Sequence, residues 1–287
     1  MAPVGFYNLP MNKRISYSKC LETEYYLYRQ VYPVYKDWDK VVEHLKRVNG
    51  NTLVVERQMR LLRKDMDGEF LHIFLKDRSL KDFLINTKIN DYQEVISFIA
   101  DNGKYIDAHT SGGNQVVLSE YFICIHVPEE ESGYTFAIYV DETSRIRMEL
   151  LHDGLFITMD KKKDQLLGFE NSTDPGEQED YRSWKLVVNL IFYMKAFPEC
   201  VIDGLPKGAR MDFGFKNKKI QLSTSPKIVA HTEISSDGKI ITPHFRSGHF
   251  RYLGSDFFKN KKGQTIFIES CFVKGSNAKT VINKAAV

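Results

Sequence analysis

The sequence predicts an α+β protein with a helical N-terminal part, an antiparallel β meander with a core helix, and a basic C-terminal module. Apolar residues recur at spacings of three and four through the first hundred residues. The period falls towards two after Gly112-Gly113. A long apolar helical face then returns from Trp184 to Met194. With 287 residues, 43% hydrophobic and 27% charged, the chain can bury a core in one large or two modest domains. The expected segments are 1–110, a helical region; 111–206, the antiparallel sheet plus core helix; and 207–287, a basic His-Arg module packed on the sheet domain.

In order along the chain, Ser16 to Tyr35 places Leu21, Tyr25, Tyr28 and Val31 on one stripe until Pro33 interferes. Asp37 or Asp39 caps a second helix through Val41, Val42, Leu45 and Val48, which Asn49-Gly50 stops. Thr52 to Lys64 fits a third, with Arg57, Arg60 and Arg63 on its wet side. Asp91 and Glu94 form a capping box for a helix through Ile99 that ends near Gly103.

Val116 to Val127, Tyr134 to Asp141, Arg145 to Leu151 and Gly154 to Met159 then read as the strands of a meander. Turn signals separate them at Pro128 to Gly133, Asp141 to Ser144 and Asp153-Gly154. Asp160 to Glu179 reads as a surface loop, and Asp174-Pro175-Gly176-Glu177 supplies a helix start. The core helix that follows ends at Pro198. Thr265 to Val273 reads as a final buried strand, and Lys274 to Val287 as a frayed tail.

The net charge of +3 conceals a strong segregation. Residues 1 to 88 carry 16 Lys and Arg against 11 Asp and Glu; residues 89 to 206 carry 9 against 21; residues 207 to 287 carry 15 against 5. The blocks are therefore +5, −12 and +10, and the basic end is where an anionic partner is expected. Cys20, Cys124, Cys200 and Cys271 are too widely spaced for a metal or redox motif and read as reduced thiols. No signal sequence or apolar span is apparent, so a soluble cytoplasmic protein is expected, with no membrane contact and no cofactor.

The chemistry-bearing feature is His244-Phe245-Arg246-Ser247-Gly248-His249-Phe250-Arg251, in which His-x-Arg occurs twice around Ser-Gly. A hairpin turning at Ser247-Gly248 would put Phe245 and Phe250 on one face and His244, Arg246, His249 and Arg251 on the other. Like charges held together call for an anion, and Lys259, Lys261 and Lys262 extend the field. These seven cationic side chains are the candidate nucleic-acid-binding residues, with Phe rings available to stack on unpaired bases. Pairing with the acidic middle block is the competing structural explanation. As a catalytic alternative, His244 and His249 would serve as acid and base in metal-independent phosphodiester cleavage. A zinc site from His244, His249 and Cys271 lacks compact ligand spacing, and no metal is expected. Glu129 to Glu131 and Asp141-Glu142 fall at turns, Gly112-Gly113 lacks the context of a nucleotide cradle, and His72, Cys124 and His126 read as core or edge residues of strands.

Thr242 to Arg251, followed by Thr265 to Gly275, resembles a module of phage- and plasmid-encoded proteins similar to one class of type V-A anti-CRISPR protein. The module reads Pro-His-x-Arg-x-Gly-His-aromatic and then a strand ending apolar-Val-x-Gly, and every position is filled here. Leu118 to Ile125, Gly133 to Tyr139 and Leu186 to Phe197 before Pro198 agree in order and spacing, so the resemblance spans roughly residues 115 to 275. It implies a mobile-element protein that lowers production of a host CRISPR nuclease by engaging its messenger or translation product in the bacterial cytoplasm. The motif positions carried over are Pro243, His244, Arg246, Gly248 and His249. An RNA or ribonucleoprotein partner is thus expected; a ribonuclease and a purely protein-binding inhibitor are the alternatives.

Overall fold

The computed structural model describes residues 15–89, 92–109, 115–141, 146–152, 155–161, 172–211, 214–225, 244–246, 248–268 and 271–273. Its organising strand is β1, Phe70–Leu75, in which every residue is buried. β1 is parallel to both neighbours, β3 (Gln115–His126) and β8 (Lys218–Leu222). From β3 the sheet continues antiparallel through β4 (Tyr134–Asp141), β5 (Ile146–His152) and β6 (Leu155–Lys161), which is the expected meander. β7 (Val201–Asp203) lies beyond β8, and β2 (Lys104–His109) pairs with the N-terminal part of β3.

The fold is α+β, with helices preceding most of the strands. The segment expected to be helical, 1–110, also supplies β1 and β2, and strands from all three expected segments hydrogen-bond in one sheet. β1 escaped the period-two test for a physical reason. A strand covered on both faces is apolar at every position and shows no alternation. Leu71, Ile73 and Leu75 enter one core layer with Ile123, Ile125 and Val127, while Phe70 enters the other with Phe122 and Cys124.

Three helices cover the second of these faces: α1 (Glu22–Tyr35), α2 (Trp38–Asn49) and α3 (Thr52–Asp67). Asp37 caps α2 by accepting from the Lys40 N–H at 3.0 Å, and Gly50, at φ 70°, ends it. Helix α1 starts later than Ser16, because residues 17–19 are tied by single bridges, Tyr17 to Pro128 and Lys19 to Ser132. Pro33 does not end α1; it sits in the last turn, where its missing N–H costs a single bond.

The opposite face carries α4 (Arg78–Asn86), α5 (Gln93–Asn102) and α6 (Pro175–Ala196). The Asp174 carboxylate accepts from the Gly176 and Glu177 N–H groups, as the helix-start signal implied. α6 is buried from Tyr181 to Tyr193 almost without interruption, and its Asn189 donates to the Leu84 and Thr87 carbonyls. Asp91 of the expected capping box lies outside the described residues. Glu94 instead accepts from the Thr265 hydroxyl at 2.6 Å and pairs with Lys195 at 3.4 Å.

The C-terminal strands are β9 (His244–Arg246), β10 (His249–Tyr252), β11 (Thr265–Ile268) and β12 (Cys271–Val273). Phe250 and Phe267 seat β10 and β11 on α4 and α6, their ring centroids 5.1 Å apart and 5.4–6.3 Å from Phe83 and Phe197. Phe192 stacks on Phe250 at 5.9 Å. Phe250→Ala is expected to lower stability by about 3–5 kcal/mol. Phe257→Ala, in the same module but 85% exposed, is expected to stay within about 0.5 kcal/mol of the parent in a urea titration.

Candidate functional site

The double His-x-Arg motif does not fold back on itself. β9 pairs with β12, placing Arg246 opposite Cys271, and β10 pairs with β11, placing His249 opposite Ile268. The two pairings share one antiparallel register, 244–246 against 271–273 and 249–252 against 265–268. β9 and β10 thus pair with later strands and not with each other, because the later apolar segment is the stronger partner. Ser247 of the expected turn and the side chains of His244, Arg246 and Cys271 lie outside the described residues.

His249 is only 5% exposed, and its backbone bridges to Lys88. The cationic surface lies instead at the turn between β10 and β11. Residues 253–264 close on hydrogen bonds between Leu253 and both Gln264 and Gly263, the glycine at φ 81°. Lys259, Lys261 and Lys262 are exposed on this turn beside Phe257. The Arg251 guanidinium, also exposed, lies 5.3 Å over the Phe258 ring. Lys262 pairs with Asp256, whereas Arg251, Lys259 and Lys261 have no carboxylate partner among the described residues. Of the seven expected nucleic-acid-binding residues, three thus lie on one surface turn, Arg251 on the adjoining strand reaches over it, and His249, at the other end of the β10–β11 pair, is buried.

Buried and half-buried carboxylates of the acidic middle block find their cations elsewhere. Buried Glu120 and Glu149 face α3, where Lys64 reaches Glu120 at 2.7 Å and Arg60 reaches Glu149 at 2.7 Å. Arg60 also donates to the Tyr139 hydroxyl at 2.6 Å. Glu130 takes Lys81 at 2.7 Å and Arg78 at 3.5 Å. Among the described residues these carboxylates pair with cations from the first segment and leave the C-terminal ones alone.

A second polar assembly, buried as the expected core, lies between the sheet and α1–α3. His72 on β1 and His126 on β3 are 2.9 Å apart, Nδ1 to Nε2. The other His72 nitrogen meets Asp65 of α3 at 2.7 Å, and the other His126 nitrogen meets the Ser18 carbonyl at 2.8 Å. Asn217 donates to the Asp65 carboxylate and carbonyl and accepts from the Phe70 N–H, fixing α3 against β1. Cys20 and Cys124 are buried beside the histidines. Burial opposes ionisation of Cys20, but hydrogen bonding to Cys124 and the nearby His126 outweigh it and hold this thiol well below its ordinary range. Burial, followed by Cys20 itself, pushes Cys124 up. A cleft of about 280 Å³ lined by Tyr17, Phe74, His126 and Arg210 reaches Cys20. The available signal was the same-face spacing of His72 between Phe70 and Phe74, and of Cys124 and His126 after Phe122.

Comparison with protein-family models, curated proteins and solved structures found no match. Among the described residues no helix is long and apolar enough to cross a membrane.

The paired carboxylates make stability acid-sensitive. Burial disfavours the Glu69 carboxylate, but Lys64 at 2.8 Å and Lys104 at 3.1 Å outweigh this and hold its pKa below the ordinary value. A depressed folded-state pKa contributes stability above the unfolded value, and that contribution is lost as pH falls through the folded one. Thermal melts from pH 7 to pH 3 should therefore show a smaller loss in Glu69→Gln than in the parent once pH drops below about 4.3.

Proposed function

We propose that this chain is a mobile-element counter-defence protein that engages RNA, or a ribonucleoprotein, through the turn between β10 and β11 and so lowers production of a host CRISPR nuclease. The observation that carries the RNA contact is the exposed group of Phe257, Arg251, Lys259, Lys261 and Lys262 on a turn anchored by buried Phe250. Arginine and lysine suit phosphate oxygens, and an exposed ring offers a stacking surface to an unpaired base. The nuclease target rests on the resemblance of residues 115 to 275 to the anti-CRISPR class. A bacterial host cytoplasm follows from the same resemblance.

The ribonuclease alternative receives less support. A general acid or base has to reach the scissile group, and the His249 side chain lies beneath the surface. A purely protein-binding inhibitor using the acidic strands is also less favoured, since Glu120 and Glu149 are already occupied by Lys64 and Arg60.

Binding to a single-stranded RNA should weaken with salt at a slope of about −0.7 per phosphate contacted. Replacing Lys259, Lys261 and Lys262 with Ala should flatten that slope by about 2. A slope unchanged by the triple variant overturns the phosphate contact. Co-expression with a type V-A nuclease, reading its transcript and protein levels, tests the target; unchanged levels of both overturn it.

A further inference from the structure

Three hydrogen bonds run in series through the buried assembly on the α1–α3 face. His72 Nε2 meets Asp65 Oδ1 at 2.7 Å, His72 Nδ1 meets His126 Nε2 at 2.9 Å, and His126 Nδ1 meets the Ser18 carbonyl at 2.8 Å. Each gap needs one proton, because two bare acceptors at such distances repel. An ionised carboxylate with two neutral imidazoles brings only two, one N–H from each ring. In that form the series is one proton short, whichever tautomers are chosen.

The surroundings favour a third proton. Asp65 and His72 are fully buried and His126 is 4% exposed. With two neutral rings the group holds a net negative charge in the interior, and with the third proton it is neutral. Asp65 Oδ2 has no hydrogen-bond partner among the described residues. Lys219 on β8, the cation facing Asp65, turns its ammonium to the Gly214, Phe215 and Asn217 carbonyls instead. Of the other titratable groups facing the series, Tyr17, Cys20 and Arg210 line the same cleft as His126, and Cys124 pairs with the Thr135 hydroxyl. Burial opposes a positive charge on His126, but Cys20, the Ser18 carbonyl and Asp65 outweigh it and raise its pKa.

We infer that Asp65, His72 and His126 form a proton-binding site that carries one shared proton at neutral pH, and that this proton clasps the residues before α1 to β3. Histidine is ordinarily a stronger base than aspartate, so Asp65 stays ionised and the third proton rides on the imidazole pair, which titrates as a unit. Ser18 is the point of attachment. Its N–H donates to the Val127 carbonyl at 2.9 Å, its hydroxyl accepts from the Val127 N–H at 2.7 Å, and its carbonyl accepts from His126. When the third proton leaves, the charge-assisted bond from His72 to Asp65 persists. His126 then has a single N–H for two acceptors. Pointed at Ser18, it leaves two lone pairs facing each other between the rings; pointed at His72, it leaves the Ser18 carbonyl without its donor. Either outcome loosens the segment that borders the cleft. The proton counts set the sign of the pH dependence. Unfolded, the two histidines bind two protons below about pH 6.5 and none above it. Folded, the pair binds one on both sides of that value and loses it only at higher pH. Stability therefore rises with pH to about 6.5 and falls beyond it, the unfolding constant growing by up to about tenfold per pH unit until the folded pair gives up its proton.

Histidine-selective ¹⁵N spectra of the full wild-type chain read the protonation directly. At about pH 7.5, where a free histidine is mostly neutral, three of the four ring nitrogens of His72 and His126 are expected to carry a proton. Two of four overturns the proposal. Asp65→Asn offers His72 Nε2 an amide N–H in place of the third proton, so its rings are expected to hold two. In urea titrations across the same range, wild-type stability is expected to fall above about pH 6.5 while that of Asp65→Asn levels off. The slope is the readout, because the variant also alters the Asn217 bond to Oδ1; parallel slopes overturn the link to folding. If Asp65→Asn fails to fold, the wild-type amides of Ser18 and Val127 decide. Their hydrogen-exchange protection, corrected for intrinsic rates, is expected to drop as the third ring proton titrates. Protection unchanged through that titration, or a third proton still in place at about pH 10, overturns the clasp.

Discussion

β1 has no solvent-facing edge or side, and that double enclosure governs the architecture. Its hydrogen-bonding edges are taken by two parallel neighbours, which hairpins cannot provide and which require long connections. Its side chains leave the strand in both directions, so apolar cover is needed on both faces. α1–α3 answer one requirement and α4–α6 the other. The His72 side chain is placed by the same strand in a fully buried position, where a polar ring has to be satisfied from within the protein. Asp65 and His126 meet its two nitrogens, and Asn217 and the Ser18 carbonyl hold those partners in turn.

The legible parts of this fold are those whose signal is local. α2 carried its own cap and stop in Asp37 and Gly50, α6 its Asp174-Pro175 start, and β3–β6 their alternation and turn residues. β1 was hidden because two-sided burial erases alternation, and β8 because Lys218 and Lys219 give it the look of a surface patch. The two halves of the His-x-Arg repeat misled for the opposite reason: a plausible local pairing between them lost to pairing with Thr265–Ile268 and Cys271–Val273. The candidate site divides the same way. The lysines at the turn are near one another in sequence and could be read. The thiol-imidazole assembly draws on residues 18 to 217 and exists only once the sheet has brought them together.

Charge segregation has a similar explanation. The acidic middle block and the basic end do not neutralise one another among the described residues; Glu120, Glu130 and Glu149 are satisfied by Lys64, Lys81 and Arg60 from the first segment. Arg60, Lys64 and Lys81 of the first segment thus spend their charge internally. Arg251, Lys259 and Lys261 keep theirs available to a partner, at the tip of a module held down by phenylalanines rather than by ion pairs. A salt-sensitive contact can therefore sit on a salt-insensitive anchor.

The position of β8 also bears on how the chain matures. β1 is synthesised early, yet one of its two edges is completed only by a strand roughly 150 residues later. Until that strand leaves the ribosome, a strand buried at every position is at most half-paired. The Asn217 clamp on Asp65 arrives with it. Native closure is consequently a late event, governed by long-range pairing, and the growing chain passes through a stage in which an open, parallel-competent edge is exposed to other chains.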